Sequence, residues 1–160
     1  RRRIAAIGLQ GPQEQTAAQR AEGFRMALAE AGLPADEALL RHVPSYERAH
    51  GYAAMSALLS AGDPPDAVFC FSDLLASGAL RACLEQGVQV PGDVALLGFD
   101  DVEEVRYLSP SLSTVRPDRE AIAREAVGRL LARLEGGGAD APAPRDITVP
   151  HALVVRESTV

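Results

Sequence analysis

Short unbroken apolar runs alternate along this chain with longer stretches in which apolar residues recur every three or four positions. RIAAIGL (3–9), AVFCF within DPPDAVFCFS (63–72) and VALLGF (94–99) are runs of the first kind, and LLRHVP (39–44) is a shorter candidate. Between them lie TAAQRAEGFRMALAEAG (16–32), YERAHGYAAMSALLSAG (46–62) and SDLLASGALRACLEQG (72–87), whose periodicity predicts helices. In the first helix Ala17, Ala21, Phe24, Leu28 and Ala31 share one face. Thr16 with Gln19 resembles a capping box, and Gly32 suits the C-terminal stop. In the third, Ala76, Leu80 and Cys83 point one way and Gly87 ends the helix. Strands that are apolar without alternation are buried on both faces, as in parallel sheets covered by helices. Strands separated by helices of this length form right-handed βαβ units. The expected fold class is α/β, a doubly wound parallel sheet flanked by helices.

After residue 107 the pattern changes. LSTVR (112–116) reads as a strand and DREAIAREAVGRLLARLEGG (118–137) as a long helix, with Ile122, Ala126, Leu130 and Leu134 on its inward side. Glu120–Arg124 and Glu125–Arg129 form i,i+4 pairs on its wet side. GGGADAPAPR (136–145) predicts a loop, and ITVPHALVVRES (147–158) closes with strand-like material.

Composition narrows the chemistry. The chain has 160 residues, 47% apolar but only 4% aromatic with no Trp, so its core must be mostly Ala, Leu and Val. A formal net charge of −6 gives this segment no reason to bind a phosphate backbone. Cys70 and Cys83 fall on apolar faces and read as small core hydrophobes. His42, His50 and His151 are scattered, so no metal and no cofactor is expected. No GxSxG, Walker, HExxH or GxGxxG pattern is present, and an enzyme is not expected. No run is long enough to span a bilayer, no signal peptide is visible, and the opening RRRIAAIGL is already a strand pattern.

Ligands of open parallel sheets bind beyond the carboxyl ends of the strands. That rule selects Gln10 to Arg20, Pro44 to Tyr46, Ser72–Asp73 and Asp100–Asp101, a set with an arginine, an aromatic ring and carboxylates suited to a small polar molecule. Each has a plainer reading. Arg20 sits in the early turns of its helix, where a cation opposes the macrodipole, and a bridge to Glu14 would explain it. Ser72 and Asp73 stand where a helix wants its N-cap, and the cap is the preferred reading for Asp73. Tyr46 could be a boundary aromatic. Asp100 and Asp101 could form a turn; with no Gly or Pro following, Asp100 is read as ligand-facing and Asp101 as structural.

Taken in order, QRAEGFRMALAEAGL, DAVFCFSDLLASGALRACLEQGVQVPGDVALLGFDD, LSPSLSTVRPDREAIAREAVGRLLARLEG and VPHALVVREST resemble the effector-binding domain of the LacI/GalR family of bacterial transcription regulators, over essentially the whole chain. The resemblance implies a type I periplasmic-binding-protein-like fold. Residues 1–107 would belong to its C-terminal subdomain, 108–137 to a crossover strand and helix of the N-terminal subdomain, and 138–160 to a linker and return strand. It implies a ligand site containing Thr16, Arg20, Tyr46, Ser72, Asp73 and Asp100. Ser72 stands where family members often carry Asn, and Pro117 where a polar residue is common. It also implies a sugar-like small-molecule effector, a homodimer, and operator DNA bound through an N-terminal headpiece outside this chain, in the cytoplasm and away from the membrane. Ser77–Leu80 and Tyr107–Leu108 are candidates for the dimer face, with core packing the alternative. A secreted sugar-binding protein of an uptake system is the second reading, and an enzyme on a flavodoxin-like sheet the third.

Overall fold

The computed structural model describes residues 1–135 and 146–160. Its elements alternate as expected: β1 (Ile4–Leu9), α1 (Gln15–Glu30), β2 (Leu40–His42), α2 (Arg48–Leu59), β3 (Ala67–Cys70), α3 (Asp73–Glu85), β4 (Ala95–Phe99), β5 (Ser113–Pro117), α4 (Arg119–Glu135) and β6 (His151–Val154). The strands form one sheet in the order β2-β1-β3-β4-β5-β6, with the pairs β2–β1, β1–β3, β3–β4 and β4–β5 all parallel. The chain winds from β1 outward to β2, then returns past β1 to β3. The strand order therefore reverses between β1 and β3, and the carboxyl ends there open a crevice.

Two compact units make up the described residues: Arg1–Val115 with Leu153–Val160, and Arg116–Ala152. The first unit holds the core. Five of the six residues of β1 are buried, as the unbroken apolar run requires. On α1, Ala17, Ala21, Phe24 and Leu28 are buried, whereas Ala31 is the exposed C-cap. The expected capping box is absent: α1 begins at Gln15 behind Glu14, no side chain caps it, and Thr16 lies exposed inside its first turn. Gly32 and Gly87 do end their helices with positive φ, 65° and 70°.

Helices α2 and α3 pack backbone to backbone. A Cβ on Gly78 would lie 1.9 Å from the Arg48 carbonyl oxygen, and one on Gly51 would lie 2.1 Å from that of Leu75. For Ser77–Leu80 this selects core packing over a dimer face, because Gly78, Ala79 and Leu80 are buried in the first unit and Ser77 is half-buried. Tyr107 is 78% exposed. Substituting Gly78→Ala should lower stability by about 1–3 kcal/mol, since neither backbone can yield without separating the helices. Chemical denaturation is the check, and an unchanged midpoint would contradict the close approach.

The end of the chain is sewn into the same unit. Ser158 is fully buried. Its carbonyl accepts from the Leu96 amide at 2.9 Å, and its hydroxyl donates to the Leu96 carbonyl at 2.7 Å. That hydroxyl also accepts from the Ser113 amide at 2.8 Å. Ser158 thus fastens to both β4 and β5.

In the second unit, the Asp118 carboxylate caps α4 by accepting from the Ala121 amide at 2.9 Å. Glu125 and Arg129 pair at 4.0 Å. Ile122, Ala126, Leu130 and Leu134, expected to face inward, are exposed. The loop expected at 136–145 lies outside the described residues.

Candidate functional site

The residues that follow β1, β2, β3 and β4 meet around one guanidinium. Arg20 leaves α1 with its side chain only 17% exposed and donates a hydrogen bond to the Phe71 carbonyl just past β3. Its Cζ lies 3.8 Å from the centroid of the Phe99 ring and 6.0 Å from that of Tyr46. Its Nη2 is 3.9 Å from a carboxylate oxygen of Asp100, whose side chain is 39% exposed. A cation over aromatic faces and beside a carboxylate is held in one orientation. The carboxylate that holds Arg20 is that of Asp100, in place of the Glu14 bridge considered from the sequence.

Two features let the backbone bring these groups together. At Gly8, φ is 137° and the register of β1 against β2 shifts, and a Cβ there would lie 2.4 Å from the Cβ of Phe71. The missing side chain lets Phe71 close against β1, so its carbonyl stands over the crevice. The second feature is the corner after β4, where φ is 116° at Asp100 and 51° at Asp101. The corner expected to lack a tight turn therefore turns sharply through two non-glycine residues. In a regular strand neighbouring side chains face opposite ways. The positive φ at Asp100 breaks that alternation, so both Phe99 and Asp100 reach Arg20.

Tyr46 is half-buried, and among the described residues its hydroxyl makes no hydrogen bond of good geometry, Arg20 being the donor beside it. Burial raises its pKa above the ordinary tyrosine value, while the charge and N–H groups of the nearby Arg20 guanidinium pull the other way. A buried hydroxyl left unpaired costs about 1–3 kcal/mol. Tyr46→Phe should therefore leave stability unchanged or raise it by about 1 kcal/mol, and a clear loss in thermal unfolding would show that the hydroxyl is in fact paired.

The remaining candidates separate. Thr16 sits exposed on α1, one turn ahead of Arg20. Ser72 is the N-cap of α3, its hydroxyl accepting from the Leu75 amide at 3.3 Å. Asp73 does not cap the helix, which corrects the preferred reading of that residue, and it is fully buried. Its carboxylate accepts from the Thr114 hydroxyl at 2.7 Å and from the Val102 amide at 2.9 Å. Burial raises its pKa, with both hydrogen bonds opposing the shift. A raised carboxylate pKa gives stability that is full below the unfolded value and lost as pH rises through the folded one. Asp101, with a side chain 1% exposed, pairs with Arg156 at 2.6 Å and Arg106 at 3.3 Å. Burial alone would raise its pKa, but the hydrogen bonds and charges of the two arginines outweigh it and hold the carboxyl below its ordinary value.

Phe99 and Arg156 escaped the sequence reading. Phe99 ends an apolar strand, and nothing in its position distinguished it from core. Arg156 lies 55 residues from Asp101, so only the folded chain reveals the pair. Among the described residues, no group of His, Cys, Asp and Glu could hold a metal ion, and no helix is long and apolar enough to cross a membrane.

Known proteins share this fold. The family model described as periplasmic binding protein-like domain matches residues 1–159. The HTH-type transcriptional repressor PurR of Escherichia coli is 37% identical over 149 residues, covering 92% of this chain and 42% of that protein. The chain thus spans less than half the length of that relative. A solved LacI-family transcriptional regulator from Sanguibacter keddieii superposes with a TM-score of 0.90 at 47% identity, over 99% of this chain and 60% of the other. The complex of the transcriptional regulator CelR with cellobiose gives 0.89 at 34%, over 98% and 46%. A sugar-binding LacI-family regulator from Escherichia coli, complexed with phosphate, gives 0.83 at 31%, over 98% and 54%. With the reversed strand order and the crevice it opens, these likenesses mean that the chain belongs to the periplasmic-binding-protein-like domain family and, within it, to the effector-binding domains of the LacI/GalR transcription regulators.

Proposed function

We propose that this domain senses a small polyhydroxylated molecule, a sugar or a related metabolite, and that binding alters how the intact regulator holds operator DNA. The observation that carries the reading is the Arg20–Asp100 pair, set between Phe99 and Tyr46 at the carboxyl ends of the central strands. The carboxylate can accept from adjacent hydroxyls and the guanidinium can donate to ring or hydroxyl oxygens. The rings supply an apolar face for the C–H surface of a sugar. Cellobiose in a structural neighbour supports this ligand class.

Thr16 and Ser72 extend the proposed rim, with Ser72 reaching less far than an Asn would. Asp73 serves it from below. The intact regulator would act as a cytoplasmic homodimer with operator DNA held by an upstream headpiece. Its effector would shift the balance between two domain arrangements by as much as its affinity for them differs. The alternative of a secreted uptake receptor shares the site but not the regulators found as relatives. Sequencing the N-terminus of the intact protein separates the two. A helix-turn-helix segment supports the regulator, and sugars are then assayed by operator release. A cleaved secretory signal overturns it.

A further inference from the structure

The two aspartates after β4 stand in a conformation that side-chain-bearing residues seldom adopt, and they do so in succession. Such backbone persists only where its surroundings over-determine it. Here each amide of the corner is tied. Asp100 donates to the Val115 carbonyl at 2.9 Å, Asp101 to the Thr114 hydroxyl oxygen at 3.3 Å, and Val102 to the Asp73 carboxylate at 2.9 Å. Thr114 and Asp73 are joined to each other, the threonine hydroxyl donating to the carboxylate at 2.7 Å, and both are fully buried. The recess beneath β4 is shaped for that carboxylate. A Cβ on Gly98 would lie 2.2 Å from the Asp73 oxygen that Thr114 contacts. Two buried polar side chains, matched donor to acceptor, thus clamp consecutive residues of a loop whose first member faces Arg20.

We propose that Asp73 and Thr114 are positioning residues for effector binding: they lock the corner at residues 100–102, left-handed at Asp100 and Asp101, that turns Asp100 toward Arg20. This rests on Asp100 being an effector contact. The chemistry of the pair requires both oxygens of Asp73 to accept, one from a hydroxyl and one from an amide. Asparagine at 73 would present an N–H to one of those donors. Valine at 114 keeps the shape of threonine but loses both the hydroxyl donor to Asp73 and the acceptor for Asp101. Serine at 114 keeps both.

The test compares Thr114→Val with Thr114→Ser in the intact protein, with no ligand added. Hydrogen exchange reads the amides of residues 100–102. The Arg20 Nε–H resonance in ¹H–¹⁵N spectra reads the guanidinium stacked on Phe99. In Thr114→Val, exchange at the corner should rise about tenfold over that of β1 and β3, one tenfold step being about 1.4 kcal/mol, and the Arg20 resonance should move. Thr114→Ser should restore both. Unchanged corner exchange and an unmoved resonance in Thr114→Val would overturn the proposal, as would a rise shared equally by β1 and β3, which would mark general loosening. Removal of the Asp100 carboxylate tests the site reading separately, so failure of the clamp is told apart from failure of the site.

Discussion

Asp101→Ala is expected to cost about 3–5 kcal/mol of folding free energy, the range for removing one member of a buried ion pair. The size follows from what remains. The Arg156 side chain is 15% exposed and donates from Nη1 to the Leu112 carbonyl, so with Asp101 gone its charge stays held among buried groups. Arg106 is 51% exposed and can turn to water, so its loss should matter far less. The pH dependence has a definite sign. Because the folded pKa of Asp101 is lowered, its contribution is present above the ordinary carboxylate value of about 3.9 and is lost as pH falls through the folded value. Denaturant titrations at neutral and acidic pH should show the wild type losing more of its margin on acidification than Asp101→Ala does. Parallel acid curves, or an unshifted midpoint at neutral pH, would mean that the pair contributes little.

Asp100→Gly should separate binding from folding. Each hydrogen bond from a ligand to a charged group is worth about 1.5–3 kcal/mol, so if the proposed site holds and Asp100 accepts two, its loss should weaken effector affinity by roughly 100-fold or more. Glycine is the informative replacement because Asp100 has φ of 116°, which alanine would tolerate poorly and glycine adopts freely. Relief of that conformation offsets the lost Arg20 pairing, and the unfolding temperature should stay near that of the wild type. Arg20→Ala should lose comparable affinity but also release Phe71, Phe99 and Asp100 from their shared partner. Calorimetric titration of the intact protein, using whichever small molecule an operator-release assay identifies, measures both. Wild-type affinity in Asp100→Gly would remove Asp100 from the site.

Much of the scaffold was legible because burial on both faces of a sheet leaves unbroken apolar runs, and helices between them leave three-to-four periodicity. Strand order was not legible, since nothing local says that β3 returns past β1 to pair beside it. Rules for strand ends found Arg20, Tyr46 and Asp100. They could not show that Phe99 would share a partner with its neighbour, which depends on backbone angles at Asp100. Asp73 illustrates the opposite error. A carboxylate at the start of a helix reads as a cap, yet the cap went to Ser72 and the acid turned inward to Thr114 and Val102. Ser77–Leu80 of α3 read equally well as a dimer face or as core, and only the close approach of Gly78 to the backbone of α2 shows that this surface is already used.

Ser158 sets the order in which this unit can be completed during synthesis. Leu96 and Ser111 find their backbone partners in a residue made dozens of codons later. Until residues 153–160 emerge from the ribosome, β4 and β5 pair with each other but lack the strap laid across their start, although β1 to β5 have already been translated. Closing so long a loop is entropically slow. A nascent chain paused before that point would carry β4 and β5 paired only with each other along their seam, and translation of residues 153–160 would add the bonds that fasten its start.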